Sequence, residues 1–114
     1  MLRLSNTLAR SSNELNIDGL CLVHYCNGCQ SLHQISVSKP NHLNAIWSWN
    51  GNAEKPSFSP SINIVGVCHY HLVEGKISYC ADSIHALAGK TVDLPDLPDW
   101  LGIDTNDWQE NDSA

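Results

Sequence analysis

The sequence predicts a mainly β fold: a small α+β, compact, β-rich single domain with a zinc knuckle and one short helix. Three observations predict it. Apolar residues alternate at period two in short runs, turn residues cut those runs at close intervals, and the one helix-like stretch, between Asp82 and Gly89, is brief. With 114 residues there is room for one domain, and a domain of this size benefits from a staple.

Residues 1–18 carry scattered Ser and Asn with weak periodicity, so an irregular arm or short helix is expected, making 1–19 an N-terminal arm. Leu20 to Tyr25 predicts a strand leading into Cys26-Asn27-Gly28-Cys29, where Asn-Gly supplies a tight turn. Leu32, Ile35 and Val37 offer a second strand. Ile46-Trp47-Ser48-Trp49 alternates and stops at Asn50-Gly51, and Pro56 and Pro60 force extended or turn backbone between them. Residues 62–73 predict the best strand, followed by Glu74-Gly75 and a partner strand from Lys76 to Cys80. Asp82 or Ser83 caps a short helical turn that Gly89 ends. The β-rich domain therefore covers 20–96, and 97–114 remains as an acidic tail.

Charge separates the two parts. Of 12 acids, seven lie between Asp93 and Asp112 with no base among them, so the rest of the chain is close to neutral. A neutral body with an acidic end lacks the cationic footprint of a nucleic-acid binder, so no direct nucleic-acid contact is expected. Asp99, Asp104 and Asp107 are instead candidates to meet a basic protein surface, such as one that itself binds nucleic acid. The first residues lack a continuous apolar run, and no segment is long enough to span a bilayer. A cytoplasmic protein without membrane contact is expected. In that reducing setting five cysteines point to metal rather than to disulfides.

Cys26-x-x-Cys29 is half of a zinc site, because the spacing lets two thiolates converge on one tetrahedral ion. The other half must come from Cys68, Cys80, His33, His69, His71 and His85. Strand alternation puts Cys68 and His69 on opposite faces, so both serve one ion only if the strand bends near Gly66. A two-residue loop at Glu74-Gly75 pairs Val73 with Lys76 and sets His69 opposite Cys80. Trp47 and Trp49 alternate onto one strand face, as core packing or as a partner-binding surface.

Trp47-Ser48-Trp49-Asn50-Gly51, Lys55 to Ile62, Cys68-His69-Tyr70, Gly75-Lys76-Ile77 and the run Asp82 to Pro95 resemble a family of small phage and prophage proteins of unknown function, some labelled "ammonia monooxygenase", and a phage-encoded protein is expected in the host cytoplasm. The similarity covers about residues 21–96. The resemblance implies a ligand set of Cys26, Cys29 and Cys68 with His85 or His69 as fourth member, and Cys80 as a core residue. A closed, thiolate-dominated site favours structural Zn2+ and gives the monooxygenase label no support.

Catalytic patterns such as GxSxG, HExxH and phosphate loops are absent. Asp82, Ser83 and His85 invite a hydrolase reading, but Ser83 and His85 would not face each other on a helix. The expected function is therefore a zinc-stabilised, phage-type protein-binding module without catalytic residues, in one form an inhibitor of a host defence nuclease. The alternative is a small metallohydrolase in which zinc is catalytic and Glu74, Asp82 or His69 acts as base.

Overall fold

The computed structural model describes residues 2–10, 21–41 and 43–99. Among them the strands are β1 (Leu2–Arg3), β2 (Ala9–Arg10), β3 (Cys21–Cys26), β4 (Ser31–Ser36), β5 (Ser48–Trp49), β6 (Phe58–Ile64), β7 (Cys68–Val73), β8 (Lys76–Tyr79) and β9 (Thr91–Asp93). They form two antiparallel sheets, β1-β2-β3-β4 and β5-β6-β7-β8-β9, each in sequence order. The predicted β-rich fold is what the chain adopts. No helix among the described residues is long and apolar enough to cross a membrane.

The two sheets share one core. Leu22 and Ile35 come from the first sheet, Leu8 from the connection just before β2, and Phe58, Ile62, Tyr70, Leu72 and Ile77 from the second sheet. Alternation decides which side chains enter it. Along β7, Cys68, Tyr70 and Leu72 are buried while His69, His71 and Val73 are at least partly exposed. A polar bridge crosses the core, where the Tyr70 hydroxyl meets His24 Nε2 at 2.7 Å and His33 Nδ1 at 3.0 Å. Burial, reinforced by the neighbouring imidazole of His33, pushes His24 down to about 3. Burial and His85 push His33 down to about 4. Both rings are therefore neutral at physiological pH.

The β7–β8 hairpin has the predicted register. Glu74 and Gly75 take positive φ of 51° and 76°, as a two-residue hairpin turn requires, and Val73 pairs with Lys76. Continuing that register, the Cys80 amide donates to the His69 carbonyl at 2.8 Å.

Three local expectations need correction. Residues 62–73 are not one strand: Val65, Gly66 and Val67 form a turn closed by the Val67 amide on the Ile64 carbonyl at 2.9 Å. Its valines hid it, and only Gly66, at φ 77°, marked it. The short helix between Asp82 and Gly89 is a succession of turns, with Ala88 bonding to His85 and Lys90 to Leu87. So few residues cannot offset the cost of nucleating a helix, and Gly89 stops them. Residues 2–10, expected as irregular arm or helix, form a strand pair whose β2 adds to β3, burying Leu8 and Ala9.

Candidate functional site

The most polar end of the second sheet is built around the start of β7, where two neighbouring residues point to opposite faces.

On the inner face the turn after β3, the first residue of β7 and the loop after β8 bring Cys26, Cys29, Cys68 and His85 together. One ligand atom from each lies within 4.8 Å of all the others. Cys26 and Cys68 are buried, and Cys29 and His85 half-buried. The Cys29 amide donates to Cys26 Sγ at 3.3 Å, which is how a CxxC turn closes on itself. The Tyr79 hydroxyl lies 3.1 Å from the same sulfur. His85 presents Nε2 to Cys68 Sγ at 3.2 Å, its ring held by the Leu87 amide on Nδ1 at 3.2 Å and packed edge-on against Tyr79. Gly28 makes the approach possible, since a Cβ there would stand 2.3 Å from the His85 ring.

The electrostatics fit a cation. Burial first, then the Cys26 and Cys29 thiolates, push the Cys68 thiol far up; burial and then Cys26 also raise Cys29. Packed thiols resist ionising beside one another, and a divalent ion removes that resistance. Three sulfurs and one imidazole are a closed tetrahedral donor set. His85 is thus the imidazole that stands with the three cysteines.

His69 stands on the outer face. Its Nε2 is 3.0 Å from Ser61 Oγ, and its Nδ1 is 3.2 Å from both carboxylate oxygens of Asp82. An ionised carboxylate only accepts, so Asp82 fixes the proton on Nδ1 and leaves the Nε2 lone pair to receive the Ser61 hydroxyl proton. That is the order of nucleophile, base and orienting acid.

Local structure explains how each member arrives. Between Phe58, paired with Leu72, and Ile62, paired with Tyr70, β6 carries extra residues relative to β7. This bulge includes the cis Ser59–Pro60 bond and ends just before Ile62, whose side chain faces inward, so alternation puts Ser61 on the outer face that His69 occupies. The hydrogen bond to Asp82 alone would hold His69 weakly, because the Asp82 side chain is 67% exposed. Buried Ser83 fixes the backbone instead: its hydroxyl accepts from the His69 amide and donates to the His69 carbonyl, both at 3.0 Å. The helix cap predicted at Asp82 and Ser83 is thus a pair of contacts to β7.

Ser61 also lines an open cleft of about 710 Å³, between β6 and the segment before β5, whose apolar wall includes Leu43, Ile46, Ile64 and Val65. Leu43 and Val65 are 75% and 84% exposed, unusual for residues of their kind. Trp47 lines the same cleft and donates from Nε1 to the Ser61 carbonyl at 3.2 Å. Trp49 packs against the core with its Nε1 buried and without a partner. Asp99 is exposed, Glu74 occupies the exposed hairpin turn, and Asp104 and Asp107 lie outside the described residues. Cys80 is half-buried beside His69 and Asp82.

Sequence reasoning missed Ser61. It is one of three serines in Ser57-Phe58-Ser59-Pro60-Ser61, and nothing in their spacing to His69 or Asp82 follows a linear motif. The signal available was Pro60, a residue that marks an irregular or edge position in a strand.

No curated protein and no solved structure matches the chain. A family model described as "Bacterial ubiquitination-like system serine protease (BubE)" matches residues 3–80, a span that contains Ser61 and His69 and ends two residues before Asp82. With more than half of its length matched, the chain belongs to the BubE family of bacterial ubiquitination-like system serine proteases.

Proposed function

We propose that this protein is a serine peptidase in which Ser61 is the nucleophile, His69 the general base and Asp82 the group that orients it. The observation that carries this reading is the continuous hydrogen-bonded chain from Ser61 Oγ through His69 to the Asp82 carboxylate. Membership of a serine protease family supports it independently.

Ser61 Oγ attacks the scissile carbonyl while its proton passes to His69 Nε2, giving a tetrahedral adduct whose C–N bond then breaks and leaves the acyl group on Ser61 as an ester. His69 gives that proton to the departing amine. Water deacylates the enzyme with His69 again acting as base, which restores the free serine. The substrate is a polypeptide of a ubiquitination-like system, with the segment beside the scissile bond lying in the cleft that Ser61 lines.

The inner cluster takes Zn2+ through Cys26, Cys29, Cys68 and His85. Zinc there supplies a cross-link between the turn after β3, the start of β7 and the loop after β8. Four protein ligands leave no open position, which favours a structural ion over the catalytic zinc of the metallohydrolase alternative. A protein-binding role aimed at a host nuclease would draw on the acidic end, whereas hydrolysis draws on the outer face of β7, and the hydrogen-bonded chain favours hydrolysis.

A fluorophosphonate probe tests the reading. Wild-type protein should be labelled covalently at Ser61, located by peptide mass mapping, and Ser61→Ala should lose the label while keeping its thermal transition. Absence of labelling in folded wild-type protein, or labelling at another residue, overturns it.

A further inference from the structure

We propose that His69, Cys80 and Asp82 form a second metal site, for a thiophilic divalent cation such as Zn2+, and that its occupation switches the Ser61 relay off. One ligand atom from each of the three lies within 4.8 Å of the other two. They sit on the outer face of the sheet, away from the cluster of Cys26, Cys29, Cys68 and His85.

The fold builds this group as firmly as it builds the relay. The two-residue turn at Glu74-Gly75 sets Cys80 across from His69, and the Cys80 amide bonds to the His69 carbonyl at 2.8 Å. Ser83 then clamps the same backbone from the next turn. His69 Nδ1 and the Asp82 carboxylate are already 3.2 Å apart, close to the ~3.4 Å separation of neighbouring ligands on a tetrahedral zinc with bonds of ~2.1 Å. Sulfur, nitrogen and oxygen together suit zinc or cobalt and disfavour magnesium and calcium, which want oxygen alone. Partial exposure of all three residues gives the ion a way in and leaves its fourth position to water.

Ligation and catalysis make opposite demands on one atom. The relay needs a proton on Nδ1, held by Asp82, and a lone pair on Nε2. A cation bound at Nδ1 uses the Nδ1 lone pair and displaces the proton from that nitrogen to Nε2, so the Nε2 lone pair is consumed and His69 can no longer accept from Ser61. The Cys80 thiol loses its proton to the buffer on binding, and the Asp82 carboxylate is engaged by the ion. The serine stays intact, and release of the ion restores it.

The inhibitory half rests on the peptidase reading; the metal site does not. The test uses full-length protein carrying its first equivalent of zinc, with two readouts. Equilibrium dialysis against Zn2+ or Co2+ measures a second equivalent, and Co2+ adds a thiolate charge-transfer band. Fluorophosphonate labelling measures Ser61. In wild-type protein we expect a second equivalent and a fall in labelling rate of more than about tenfold at saturating zinc, reversed on dilution into metal-free buffer; loss of the correct histidine tautomer can cost as much as about 10⁴-fold. In Cys80→Ala and Cys80→Ser, both the second equivalent and the zinc sensitivity should disappear. A wild-type protein that takes up one equivalent only, or variants that keep the second, overturn the site. If the second equivalent binds and depends on Cys80 while folded protein carrying only its first equivalent is never labelled at Ser61, the site stands and the inhibitory half falls with the peptidase reading.

Discussion

Cys68 and His69 are chain neighbours that work on opposite faces of one sheet. The inner face is the drier: two of its four donor residues are fully buried, and their partners are sulfur, an imidazole and the Tyr79 hydroxyl. On the outer face the members are partly wet, and the His69–Asp82 pair contributes little to stability. Burial makes the inner group a strong staple, because charge confined there needs a cation. Exposure makes the outer group available to substrate, and its geometry is borrowed from a strand that the inner group helps to hold.

Removing the metal should break this comparison most completely. Structural zinc contributes about 10–16 kcal/mol in zinc-finger peptides, as much as or more than the about 5–15 kcal/mol by which a whole domain is stable. A chelator is therefore expected to abolish the near-ultraviolet circular dichroism signal and the cooperative thermal transition. A chelated protein that melts like the holoprotein would show that the inner face does not carry the fold.

Asp82→Asn should separate the faces. Hydrolysis or probe labelling should fall by about 10⁴-fold, the scale on which the same change acts in other Ser-His-Asp arrays, while Tm hardly moves. Ser83→Ala should do the reverse in proportion. It removes both hydroxyl contacts from the His69 backbone, so denaturant midpoints should report a loss of about 1–3 kcal/mol, with a smaller rate defect than Asp82→Asn.

The smallest effect is a pH slope. His24 and His33 titrate lower in the folded protein than the ordinary value of 6.5, so the unfolded chain binds more protons as pH falls below that value. Their contribution to stability is complete above pH ~6.5 and is lost progressively as pH drops toward 4 and then 3. Urea midpoints at pH 7 should exceed those at pH 5, and Tyr70→Phe, which deprives both rings of their shared hydroxyl, should lower the pH 7 value. Equal midpoints for the wild type would contradict neutral, buried imidazoles.

The inner site was largely legible in the sequence because its signals are local or strong. Cys26-x-x-Cys29 announces a knuckle by spacing, and the β7–β8 register follows from one turn dipeptide. Alternation placed Cys68 and His69 on opposite faces but left open which of His85 and His69 joins the sulfurs. The outer site was not legible, because it is assembled by features that leave no periodic trace. A bulge in β6 shifts the register just before Ser61, and a loop returning across the hairpin end delivers Asp82 and Ser83. Reading Asp82 and Ser83 as a helix cap assumed a local partner for residues whose partners are 13 and 14 positions away. Trp47, taken as core or partner surface, meets the Ser61 carbonyl through a contact across 14 positions.

The opposite orientation of Cys68 and His69 also acts as a proofreading device. A shift of β7 by one position would turn every side chain to the wrong face, presenting Cys68 to solvent and driving His69 into the core. Metal capture and the alignment of Ser61 would fail in the same molecule. On the proposed peptidase and metal-site readings, a newly made chain with mispaired strands would therefore be inert, and uptake of an ion would certify that the nucleophile had been set in register.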